Sequence, residues 1–83
     1  MAADTLNFKK VAKVVGIKQS LKAVEKGNVQ TVYIAANADQ RMISPLQQAC
    51  QTRNLPIITD FTLAELGVAC GIDVEAAAVA ILK

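Results

Sequence analysis

Three apolar segments limit what this chain can become: TVYIAA at 31–36, PIIT at 56–59 and AAVAIL at 77–82. Each is too short for a stable helix, and none shows the strict apolar–polar alternation of a strand with one wet face. They read as strands covered on both sides. A sheet covered on both sides needs helices above and below it.

The intervening segments carry the matching helix signals. Gly16 and Gly27 bracket IKQSLKAVEK, in which Ile17, Leu21 and Val24 form one apolar stripe, so a helix is predicted over 17–26 with Gly27 just past its end. SPLQ at 44–47 offers Ser44 as a cap, Pro45 in the first helical position and Gln47 reaching back. That helix should carry Leu46, Ala49 and Cys50 inward and end near Asn54. TLAE at 62–65 is a second capping box, predicting a helix to about Cys70 that stops at Gly71. An earlier helix is expected from a cap at Asp4 or Thr5, burying Phe8, Val11, Ala12 and Val15, with a short extended piece over 14–17. The pattern predicts an α/β fold, a three-layer α/β/α sandwich around a small mixed sheet. With 83 residues, the span 1–83 is expected to be a single domain, and at 53% hydrophobic but 4% aromatic its core should be Val, Ile, Leu and Ala.

Several functions are disfavoured by what the chain lacks. It contains no His, and its Ser, Cys, Lys and carboxylates form no catalytic motif, so no enzymatic role is expected. Cys50 and Cys70 are the only cysteines and cannot by themselves complete a tetrahedral metal site, so neither metal nor cofactor is expected. Their apolar neighbours suggest reduced core residues. GVACGID at 67–73 contains two glycines but closes a helix, whereas a phosphate loop opens one. The run AAAVAIL at 76–82 is far too short to span a bilayer, and MAADTLNFKK lacks the apolar run of a signal peptide, so a cytoplasmic protein without membrane contact is expected.

The net charge is only +2, but it is unevenly spread. Lys9, Lys10, Lys13, Lys18, Lys22 and Lys26 precede residue 27, against Asp4 and Glu25 alone. On the helix over 17–26, Lys18, Lys22 and Lys26 drift slowly across one face with Gln19 beside them. Such a face either sits in water or grips an anion. Gly16 stands just before the helix, where free N–H groups, the helix dipole and Lys18 could together form an anion site. Equally, Gly16 could serve only to allow a tight turn. In the loop Ile72-Asp73-Val74-Glu75 two large aliphatics flank an acid. Either they tuck into the core, or one of them covers an unstacked base, a surface RNA readers favour.

Taken together, VGIKQSLKAVEKG, VYIAANAD and the closing ELGVACGIDVEAAAVAI resemble the kink-turn RNA-binding family of ribosomal proteins named L-seven-Ae and L-thirty-e, in its small bacterial form. The resemblance covers nearly the whole chain and implies the same three-layer sandwich. It implies binding to the kink-turn, a sharply bent RNA internal loop with tandem sheared G·A pairs, with ribosomal RNA as one candidate partner. Gly16, Lys18, Gln19, Lys22 and Lys26 would then lie on the helix that enters the widened major groove. Ile72, Asp73, Val74 and Glu75 would form the loop that covers a flipped-out nucleotide. Archaeal and eukaryotic members typically carry Asn-Glu where this chain has Lys18-Gln19. Gln19 offers one neutral acceptor and one donor, and Lys18 adds a charge suited to phosphate or to guanine O6 and N7, so the resemblance implies more salt dependence and less base discrimination. A monomer is expected. The rival expectation is a protein-interaction adaptor that turns the same basic surface to an acidic partner.

Overall fold

The computed structural model describes residues 11–83. Along the chain these form β1 (Lys13–Val15), α1 (Ile17–Lys26), β2 (Val29–Ile34), α2 (Gln40–Thr52), β3 (Ile57–Ile58), α3 (Leu63–Cys70) and β4 (Ala78–Leu82). The sheet order is β1-β4-β2-β3. β4 runs antiparallel to both of its neighbours, and β2 pairs parallel with β3, so the sheet is mixed.

Strand β4 explains the layering. Ala78, Val79, Ala80 and Ile81 are all buried, as the unbroken apolar run requires. Ala78 and Ala80 belong to one core cluster with Ala23 and Val24 of α1 and Ile43, Leu46 and Cys50 of α2. Val79 and Ile81 belong to the other, with Leu66, Ala69 and Cys70 of α3. The small side chains thus lie under two helices and the larger ones under one, giving the α/β/α sandwich. Cys50 and Cys70 are buried free thiols on opposite faces of the sheet, which bars a disulfide between them.

Helices α1 and α3 stop where glycine permits a left-handed backbone, at Gly27 and Gly71. Thr62 and Glu65 form the expected reciprocal capping box. Elsewhere the local signals mislead. Residues 13–15, at the far end of the helix expected to bury Val11, Ala12 and Val15, form β1 instead, because Lys13, Val14 and Val15 pair with Ile81, Ala80 and Val79. The extended piece expected over 14–17 thus begins one residue earlier and ends at Val15. The expected helix's cap and Phe8 lie outside the described residues. Helix α2 starts at Gln40, capped by Asp39, whose Oδ1 accepts the Arg41 N–H at 2.9 Å. Ser44 and Pro45 therefore fall inside the helix, and Pro45 is tolerated on its exposed side. Strand β2 lies two residues earlier than expected at both ends, and Gln30 is an extra residue between Val29↔Leu82 and Thr31↔Ile81. This bulge returns Val29 to the face of Val32 and Ile34, where all three are buried.

Candidate nucleic-acid interface

The topology gathers three helix starts at one end of the sheet. β1 and β2 leave there beside the start of β4, with Val15 opposite Val79 and Ile34 opposite Ala78. β3 runs parallel to β2 and leaves at the same end. Each of these strands is followed by a helix, so α1, α2 and α3 all present N-terminal N–H groups and positive dipole ends there.

Two of those starts are closed by the chain's own side chains. Asp39 caps α2, and Thr62 with Glu65 closes α3. The Leu63 N–H also donates to Asn37 Oδ1 at 2.9 Å, tying α3 to the turn after β2. Helix α1 is different. Gly16 has no side chain to cap it, and its first turn carries no acid. Gly16 takes φ 108° and ψ 153°, in a region open essentially to glycine alone. Its N–H donates to the Ala78 carbonyl at 2.8 Å and its C=O accepts from Ser20 at 2.9 Å, so it both anchors and starts the helix. Among the described residues no side chain caps the amides of this first turn, the kind of helix end at which anions bind.

On α1 Ser20, Ala23 and Val24 are buried, and Ile17 and Leu21 of the expected stripe pack half-buried against the same core. Lys18, Gln19, Lys22 and Lys26 are exposed. Lys18 and Gln19 stand in the open first turn and Lys22 one turn on. Lys26 lies roughly 12 Å further along the axis from Lys18, in the last turn, where a cation also suits the negative end of the dipole. The structure therefore groups Gly16, Lys18, Gln19 and Lys22 more tightly than it groups Lys26 with them.

The loop over 72–75 reaches the same end by another route. The Gly71 N–H donates to Val68 and the Ile72 N–H to Gly67, a paired C-cap that turns the chain sharply at Ile72. The chain then doubles back along α3 until the Ala76 N–H reaches the Leu63 carbonyl at 3.1 Å. Val74 is 69% and Ile72 36% exposed, so neither is packed away. Asp73 and Glu75 are exposed beside them. Glu75 lies three residues before Ala78, the residue that accepts from Gly16, so at most roughly 11 Å of extended chain separates the loop from that anchor. The helix start and the loop thus share one end of the molecule.

Two residues beside this loop were not singled out in the sequence. Ala64 and Val68 of α3 join Ile72, Asp73, Val74 and Glu75 around an open hollow of about 180 Å³. Val68 is 73% exposed. Their four-residue spacing, off the inner stripe of Leu66, Ala69 and Cys70, was the available signal. Among the described residues no group of His, Cys, Asp and Glu could hold a metal ion, and no helix is long and apolar enough to cross a membrane.

Comparison with known proteins agrees with this architecture. A protein named RNA-binding protein from Caldanaerobacter subterraneus is 44% identical over 68 residues, spanning 82% of this chain and 83% of its own. Another of that description, from Halalkalibacterium halodurans, is 39% identical over 82 residues, spanning 94% of this chain and all of its own. Among solved structures, a Giardia lamblia 15.5kD RNA binding protein superposes with a TM-score of 0.81 at 32% identity; the match covers 87% of this chain and 61% of that protein. A Bacillus halodurans protein of unknown function superposes at 0.79 with 23% identity, covering 99% of this chain and 77% of that one, and speaks for the fold alone. A family profile matches residues 4–83. On these grounds the chain belongs to the ribosomal protein L7Ae/L30e/S12e/Gadd45 family.

Proposed function

We propose that this chain is an RNA-binding protein that recognises and stabilises kink-turn RNA as a ribosomal or ribosome-associated component, acting as a single domain, a monomer and a non-enzyme in the cytoplasm. Family membership and the RNA-binding names of its relatives support the RNA partner. The observation that carries the kink-turn reading is the Gly16–Ala78 hydrogen bond, which brings the uncapped start of α1 and the 72–75 loop to one end of the sheet. A sharp bend in RNA offers two things at once: crowded phosphates beside a widened groove, and an unstacked base. One end of this protein offers an answer to each.

In this reading the open amides after Gly16 and the Lys18 ammonium hold phosphate or a guanine edge, while Gln19 reads a sheared pair through its amide. Lys22 neutralises a neighbouring phosphate and Lys26 reaches the backbone further out. Ile72 and Val74 cover the extruded nucleotide. Asp73 and Glu75 are suited to base amino groups, since carboxylates beside phosphates would repel them. The protein binds the bent conformer better than the extended one, so its population rises. Titration of the protein against a kink-turn RNA, and against the same RNA with its G·A pairs replaced, tests this. Tight binding to the first and at least tenfold weaker binding to the second is expected. Equal binding would remove the claim of recognition, and no binding to either would remove RNA as the partner.

A further inference from the structure

Gly67 lies within α3, is buried, and is not among the residues with positive φ. A glycine in the interior of a helix weakens it relative to alanine, so nothing in α3 itself calls for one. The cause lies across from it. A methyl group at Gly67 would overlap the Val74 carbonyl oxygen, and would stand 3.2 Å from the Val74 carbonyl carbon and 3.3 Å from the Glu75 Cα. The obstacle is backbone, which cannot swing aside as a flexible side chain can. The same stretch is pinned on either side, at Ile72 by the Gly67 carbonyl and at Ala76 by the Leu63 carbonyl, each at 3.1 Å. The 72–75 loop therefore rests directly on α3, with Gly67 as its seat.

We propose that Gly67 is a positioning residue: its missing side chain sets how closely the 72–75 loop lies on α3, and so where Ile72 and Val74 stand relative to the nucleotide they cover. The second half of this statement rests on the kink-turn reading above; the first does not. A side chain at 67 lifts the loop by roughly 1 Å to restore ordinary contact. The phosphate contacts of α1, in another layer, stay where they are.

Gly67→Ala tests both halves. By amide NMR of the free variant, the large shifts should fall on residues 72–76, with α1 and β4 beyond Ala78 unchanged. Shifts confined to α3, or an unfolded variant, would overturn the proposal by making Gly67 a requirement of the helix or the fold. With kink-turn RNA the variant should bind about tenfold more weakly, with an unchanged dependence on salt, because the charged contacts are untouched. Val74→Ala should then cost little more in the Gly67→Ala background than it does alone, since both changes remove one loop contact. Additive losses, or wild-type affinity for Gly67→Ala, would overturn the link to binding. A wild-type protein that ignores the RNA would overturn the function while leaving the loop shifts to judge the seat.

Discussion

Lys18, Lys22 and Lys26 stand four residues apart on α1, exposed and without an ion-pair partner among the described residues. An exposed lysine adds almost nothing to folding, and like charges at this spacing weaken a helix slightly. Their effect should therefore appear in binding. Lys22→Ala is expected to leave stability within about 0.5 kcal/mol, as surface substitutions usually do. It should weaken kink-turn RNA binding and reduce the slope of log affinity against log salt by about 0.7 to 0.9, the share of one released counterion. Titration at several salt concentrations reads this directly; an unchanged slope would mean that Lys22 only faces solvent. In the proposed function Gln19 differs from the lysines, because a neutral amide can distinguish bases without altering the salt slope. Inside the helix Ser20 carries the opposite burden: its hydroxyl is fully buried without a hydrogen-bond partner among the described residues.

At the scale of elements, Gly16 joins β1 to α1 with a backbone that other residues rarely adopt. A Cβ there would touch nothing within 4 Å, so the cost of Gly16→Ala is backbone strain alone. That strain should lower stability by about 1 to 3 kcal/mol in urea denaturation and loosen the open first turn. The elements also show what local sequence can specify. Helices α1 and α3 were legible because their stops are glycines and, for α3, because Thr62 and Glu65 are a self-contained cap. The start of α2 was not, since Ser44-Pro45 imitates a helix opening while Asp39, five residues earlier, makes the actual cap. β1 was legible in part: the extended piece expected over 14–17 overlaps it at Val14 and Val15, but its bounds are set by pairing with β4, which lies more than sixty residues away. The lysine face of α1 was visible as a periodic pattern. The resting of the Val74 carbonyl on Gly67 was not, because contact between a loop and a helix leaves no periodicity.

For the whole molecule, the two core clusters each bury a thiol. Desolvation raises the pKa of both Cys50 and Cys70 above the ordinary value, with Arg53 and Lys13 acting more weakly in the other direction. In the unfolded chain a thiol loses its proton near pH 8.5, whereas the folded protein holds it to higher pH. Over that window the folded state binds more protons, so stability is retained below about pH 8.5 and falls as pH rises through the folded value. Urea denaturation of the wild type at a series of alkaline pH values should show this fall. The Cys50→Ala/Cys70→Ala variant should show a shallower one.

The closure of two helix starts and not the third also has a bearing on approach. A cluster of three equal positive ends would draw a polyanion in any of several poses. With Asp39 closing one of them and Thr62 with Glu65 another, the start of α1 is the one left without a side-chain cap. In the proposed function, the oriented peptide bonds of that one start add to the lysines of α1, and together they give a chain of net charge +2 a single side for RNA.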